Sequence, residues 1–202
     1  MTKPNKKERT LVIIKPDGVQ RSLIGEIIKR YEKSGLKLVG LKFIVADEEL
    51  VSKHYLSNPD WIKNVGQKAI DAYAKVGKKH PAKNALEAGN KVYQSLKKYI
   101  TSGPVVVMVW QGMNAVKIVR KITGGTEPLT SDVGTIRGDL TIDSYEIADV
   151  DSRAVRNLIH ASGSVEEAEE EIKIWFKKGE LINYRLVQEA ILYDVNLDGI
   201  LE

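Results

Sequence analysis

Apolar and polar positions change period several times along the chain, and each change marks an element. Thr10-Leu-Val-Ile-Ile14 is a β-branched run closed by Lys15-Pro-Asp-Gly18, where proline and glycine stop a strand and start a turn. Ile24, Ile27, Ile28 and Tyr31 then recur at helical spacing up to Ser34-Gly35, a C-terminal stop signal. Leu36 to Ala46 alternates as a second strand, and Asp47-Glu-Glu-Leu50 opens a short helix with its acidic groups in the first turn, where the helix dipole favours them. Leu56 to Thr101 predicts two polar helices broken near Gly77 to Pro81. Pro104 to Trp110 is the most apolar stretch, as a buried central strand requires. Ala115, Val116, Ile118, Val119 and Ile122 form one face of the next helix. Gly124 to Asp139 is a glycine-containing loop too long to be idle. A short strand near Asn157 to Ala161 leads to a helix opened by Ser164 with Glu167 three residues on, a capping box.

The order β-α-β-helical segment-β-α-loop-β-α predicts an α+β fold, a ferredoxin-like sandwich with a four-stranded antiparallel sheet flanked by helices. With no internal repeat and no dividing linker, residues 1–202 are expected to form a single domain.

Composition narrows the class. The 202 residues are 43% hydrophobic and 29% charged, near the globular average, which excludes collagen and low-complexity disorder. The absence of cysteine removes disulfides, thiolate zinc sites and thiol catalysis together. Apolar runs stay far short of a membrane span, and the basic N-terminus has no apolar stretch behind it, so a cytoplasmic protein without membrane association is expected. A formal charge of +4 favours anions only weakly. Nine lysines and His80 fall between Asn58 and Gly103, and the run Glu166-Glu167-Ala168-Glu169-Glu170-Glu171 lies near the other end. Both read most simply as solvated helix faces.

Two features depart from that reading. On a helical wheel Val165, Ala168, Ile172 and Trp175 form the buried face, and Glu171 falls on its margin, unlike the outward Glu166, Glu169 and Glu170. A carboxylate there needs a partner, because burying it unpaired is expensive. His160, at the start of the same β-α unit and followed by small residues, could be that partner, with Ser162 on the same strand face. Lys15, Arg120 and Arg137 each read alone as ordinary cations; at element ends and in the long loop they could converge on a polyphosphate. No P-loop or dinucleotide fingerprint occurs. Asp194 to Gly199 imitates the start of an EF-hand loop, but Glu202 comes before the twelfth position. Three histidines without a helical H-x₃-H pair argue against zinc, so no protein-bound metal is expected.

Glu8-Arg-Thr-Leu-Val-Ile-Ile-Lys-Pro-Asp-Gly-Val-Gln-Arg21, Gly134-Thr-Ile-Arg-Gly-Asp139 and Asn157-Leu-Ile-His-Ala-Ser162 together resemble the nucleoside diphosphate kinase family, over about residues 8–57 and 92–178. The resemblance implies transfer of a γ-phosphoryl group from a nucleoside triphosphate such as ATP to a nucleoside diphosphate, by a ping-pong route through phospho-His160. It implies that Lys15, Tyr55, Arg120, Thr126 and Arg137 handle the phosphates, that Asn157 meets the ribose, and that Ser162 and Glu171 orient the imidazole. Mg²⁺ would arrive on the nucleotide, and a homo-oligomer, hexamer or tetramer, is expected.

The chain also departs from the family pattern. A lysine-rich helical insertion occupies about 58–91, and a shorter one about 143–153. Val92 stands at the family's base-stacking position with Tyr93 beside it, Ala161 replaces a usual glycine, and Gly163 a frequent acidic residue. The competing reading is a catalytically silent relative whose basic insertion binds nucleic acid or protein. An RNA-recognition domain of similar topology needs aromatics on a central strand, and Val105 to Val109 has none.

Overall fold

Strand alternation sorts the interior into two layers. In the computed structural model, which describes residues 5–75 and 77–193, β1 (Glu8–Ile14) sends Leu11 and Ile13 to one face of the sheet and Val12 and Ile14 to the other. It is followed by α1 (Pro16–Gln20), α2 (Ile24–Lys33), β2 (Lys37–Val45), α3 (Glu48–Leu56), α4 (Trp61–Lys75) and α5 (Ala85–Ile100). Then come β3 (Pro104–Gly112), α6 (Ala115–Thr123), α7 (Ile136–Leu140), α8 (Tyr145–Val150), β4 (Ile159–Ala161), α9 (Val165–Trp175) and α10 (Glu189–Tyr193), with one 3₁₀ turn at Pro128–Thr130. The sheet order is β2-β3-β1-β4, every pair antiparallel. This is the expected ferredoxin-like sandwich.

One face packs Leu11, Ile13, Val105, Val107 and Val109 against Val51 and Tyr55 of α3, Tyr93 of α5, and Ile172 and Trp175 of α9. The other packs Val12, Ile14, Val106, Met108 and Trp110 against Ile27 and Tyr31 of α2 and Val119 of α6. β3 is buried along almost its whole length, as its unbroken apolar run predicts. Three details differ from the sequence pattern. The alternation of β2 breaks at a bulge between Leu38 and Gly40. Val165, placed on the buried face of the last long helix, stands exposed at its first turn. The Gly124–Asp139 segment is part-structured, holding the 3₁₀ turn and most of α7.

The lysine-rich segment at about 58–91 forms α4 and the first half of α5, an antiparallel hairpin. Gly66 and Gly89 let the helices touch: a Cβ on either would run into a backbone carbonyl of the other helix, Ala85 or Ile62. The segment at about 143–153 holds α8, and the two segments meet where Tyr73 Oη donates to Asp149 Oδ2 at 2.5 Å and Lys78 faces Glu146 at 3.7 Å. The EF-hand-like Asp194 to Gly199 and the first four residues lie outside the described residues.

Candidate active site

β4 is short but well placed. It pairs with central β1, setting His160 opposite Ile13 and so on the face covered by α9. Entry to the strand is bent: Leu158 has φ +65°, unusual for a residue with a branched side chain, and its carbonyl accepts the Lys15 N–H at 2.8 Å. Gly18 is required at this point, since a Cβ there would lie 2.8 Å from Ile14 Cγ2 and 3.3 Å from the Leu158 carbonyl. The Lys-Pro-Asp-Gly turn and the histidine strand are thus clamped together.

His160 Nε2 lies 2.9 Å from Glu171 Oε1, and Ser162 Oγ donates to Glu171 Oε2 at 2.6 Å while accepting the Leu11 N–H at 3.1 Å. The glutamate singled out on the helical wheel is buried and paired with the expected histidine and serine. Burial pushes the His160 imidazole pKa well down, with Lys15, Arg137 and Arg120 acting in the same direction and Glu167 against it; burial pushes the Glu171 carboxyl up. The imidazole is therefore neutral at pH 7. With Nε2–H donated to Glu171, Nδ1 carries the lone pair.

His54 of α3 completes this cluster, and spacing alone did not single it out. Its ring meets His160 edge-on at 4.6 Å between centroids, and its Nδ1 accepts the Trp175 indole N–H at 3.2 Å. Burial holds it neutral as well. The available signal was weak: Val51, His54 and Tyr55 share the inward face of α3 at helical spacing. His54, His160 and Glu171 bring ligating atoms within 4.8 Å of one another. The His54 Nδ1 lone pair is engaged by the indole and Glu171 by His160 and Ser162, so the set reads as a hydrogen-bonded network.

The cations gather beside the imidazole. Lys15 is buried; its Nζ donates to Asn157 Oδ1 at 2.6 Å and sits over the Tyr99 ring at 5.1 Å. Burial, and then the Arg137 charge, bring its pKa down to about 7. Arg137 is turned inward and donates to the carbonyls of Gly124, Gly125, Asn157 and Ile159, bracing the long loop against the histidine strand. Arg120, at the end of α6, is exposed and reaches the Ala161 carbonyl at 3.5 Å. Asn157 Nδ2 donates to the Thr126 carbonyl at 2.9 Å, which leaves Thr126 at the exposed rim. Tyr55 is buried against Trp61 and His54, its ring centroid 4.8 Å from each. Tyr93 is buried with its hydroxyl donated to Ser52 at 2.8 Å, whereas Val92 is half-buried.

A neutral nucleophile ringed by cations suits a phosphoryl group, whose transfer needs positioning and charge neutralisation more than covalent help from the protein. The molecule is a phosphotransferase. The chain belongs to the nucleoside diphosphate kinase family, whose model matches residues 8–61 and 62–181. It is 48% identical over 179 residues to a nucleoside diphosphate kinase of Pyrobaculum aerophilum, covering 87% of this chain and 98% of that one. A solved NDP kinase from the same organism superposes with a TM-score of 0.83 at 45% identity, over 88% of this chain and all of the other. The Borrelia burgdorferi enzyme, solved as a transition-state mimic with vanadate and ADP, gives 0.76 at 36% identity over 91% and 95% of the two chains. No helix among the described residues is long and apolar enough to cross a membrane.

Proposed function

We propose that this enzyme moves the γ-phosphoryl group of ATP or another nucleoside triphosphate to any nucleoside diphosphate by a ping-pong mechanism through phospho-His160. One observation carries the reading: Glu171 and Ser162 fix Nε2 of a neutral imidazole, freeing Nδ1 beside Lys15 and Arg120. Nδ1 attacks the γ-phosphorus, the bond from phosphorus to the β-γ bridging oxygen breaks, and the electron pair leaves on the nucleoside diphosphate. The second half reverses these events with an acceptor diphosphate.

Lys15 and Arg120 neutralise charge on the transferred group and the diphosphate. Arg137 supports them from the loop, Tyr55 and Thr126 position the phosphates, and Asn157 exchanges its contacts with Lys15 and Thr126 for the ribose. Val92 rather than the buried Tyr93 is free to face the base. The groups facing the phosphates are cations and hydroxyls, ill suited to hold a hard divalent ion, so Mg²⁺ would be carried by the phosphates themselves. It would supply further charge neutralisation. The enzyme is inferred to be cytoplasmic and a homo-oligomer, hexamer or tetramer. The silent-relative reading loses ground because the complete set from Lys15 to Glu171 is gathered at one place.

Brief incubation with Mg-ATP should give an acid-labile, base-stable phosphoprotein that discharges onto GDP or CDP and is lost in His160→Ala. A folded wild-type protein that takes no label would overturn the proposal and bring the lysine-rich hairpin forward as a binding module.

A further inference from the structure

A buried ammonium is costly unless opposite charge or several acceptors surround it. Lys15 is 4% exposed and forms no ion pair among the described residues. Its Nζ makes one hydrogen bond there, to Asn157 Oδ1 at 2.6 Å. Asn157 is also the group given to the ribose, so a bound nucleotide would draw that acceptor away. What stays beside the amine is an aromatic face: Nζ stands over the Tyr99 ring, 5.1 Å from its centroid.

The chain builds this contact at the junction of α5 and β3. Tyr99 lies in the last turn of α5, and its carbonyl accepts Ser102 Oγ at 2.7 Å as the helix ends. A Cβ on Gly103 would stand 3.4 Å from Pro16 Cβ, so the end of α5 rests against the residue that follows Lys15. The Tyr99 hydroxyl is buried and has no hydrogen-bond partner among the described residues. Packing therefore places the ring, which offers Lys15 its face and not its oxygen. The ring also lines an open groove of about 700 Å³ with Asp17, Ala154 and Arg156, whereas Lys15 does not. It stands between the ammonium and the water of that groove.

We propose that Tyr99 is a positioning residue of the phosphotransfer site: its ring face carries the Lys15 ammonium, keeping it charged and in place for the phosphates when Asn157 turns to the ribose. The proposal rests on the phosphate-binding role of Lys15 and deepens it. The titratable and charged groups around the amine are Asp17 from α1, His54 from α3, Tyr99 from α5, Arg137 from α7 and His160 from β4, with Glu171 of α9 behind His160. Burial lowers the Lys15 pKa most, Arg137 lowers it further, and Asp17 acts against both. A quadrupole adds attraction without a carboxylate that would compete with phosphate for the amine.

The test separates a ring that carries charge from one that fills space. Tyr99→Phe keeps the face and should behave as wild type. Tyr99→Leu keeps an apolar wall without the face, and pentafluorophenylalanine in place of Tyr99 keeps the ring but reverses its quadrupole. In both, the amine loses an attraction that only its charged form feels. Its pKa should therefore fall from about 7 to about 6–6.5, read from the ¹³C shift of Lys15 Cε, with Lys15→Arg identifying the signal. ADP affinity should weaken about three- to tenfold at pH 8 and at most about twofold at pH 6. A lysine titration unmoved in both variants, or ADP affinity lost equally at the two pH values, would overturn the proposal whatever happens to Tm. If Tyr99→Leu does not fold, the fluorinated ring compared with Tyr99→Phe decides. Wild-type protein that binds no ADP would overturn the phosphate reading together with the role of Tyr99. ADP binding with one pH profile shared by wild type and the fluorinated variant would overturn the role of Tyr99 alone.

Discussion

At the scale of single residues, the phosphate-binding role proposed for Lys15, whose pKa burial brings down to about 7, would make nucleotide binding a proton-linked event. Only the protonated amine attracts phosphate, and phosphate in turn raises its pKa. Below pH 7 the amine is already charged and binding takes up no proton; above pH 7 it must gain one. ADP affinity should therefore weaken as pH rises from 7 toward the higher pKa of the complex. Calorimetry at pH 8 in two buffers of different ionisation enthalpy should show uptake of close to one proton, reduced to near zero at pH 6 and abolished at pH 8 in Lys15→Arg. No uptake at pH 8 would refute this account. Glu171 and Ser162 should separate by role. Glu171→Gln removes the charge that orients His160 Nε2–H, and phosphoenzyme formation should fall on the order of 10- to 100-fold. Ser162→Ala leaves the buried Leu11 N–H without its hydroxyl acceptor, which should show mainly as about 1 kcal/mol lost in denaturant unfolding.

Elements transmit these geometries, and here the sequence was legible wherever one local period decided the outcome. The alternation of Thr10–Ile14, the apolar run of β3 and the face of α9 that marks Glu171 all follow from period 2 or 3.6. Contacts across elements left no such trace. The β2 bulge brings Gly40 up against Phe176 and Leu181, residues some 140 positions away. His54 and Trp175 meet from α3 and α9, and Glu167 was legible as a cap but not as a carboxylate folded back over Gly163. The inward turn of Arg137 depends on four carbonyls that no spacing reveals. The Gly18 contact lies between these cases, since the turn was evident but the clamp on Leu158 was not. Gly18→Ala places a methyl against Ile14 and the Leu158 carbonyl, so α1 or the histidine strand must shift. The cost should be about 1–3 kcal/mol, as for other overpacked positions. Phosphoenzyme formation should also slow, because Lys15 and His160 are held by that same clamp. A variant with reduced Tm but wild-type single-turnover rate would show that the clamp serves stability alone.

At the scale of the whole molecule, two of the exposed apolar areas among the described residues are of different kinds. β2 is an edge strand, and Ile182 N–H and Tyr184 Oη close only its start, at the carbonyls of Val39 and Leu38. Beyond the bulge, Leu41, Phe43 and Val45 are 50%, 61% and 70% exposed on the sheet face that α2 and α6 leave bare. An open edge with apolar side chains is a liability unless another strand covers it, and a second copy can do so by a self-complementary two-fold contact. The other area lies on and around α8, where Ile142 and Val150 are 91% and 81% exposed. The homo-oligomer proposed above would use each area as a self-contact, and two different two-fold contacts would build an assembly larger than a dimer. Each should therefore be separable by light scattering. Phe43→Lys with Val45→Lys should lower the mass while leaving the contact around α8, and Ile142→Lys with Val150→Lys should leave a dimer at twice the chain mass of 22.5 kDa. All four substitutions together should give the single chain. A wild-type protein already at 22.5 kDa, or β2 variants of undiminished mass, would show that the β2 edge is not a contact between copies.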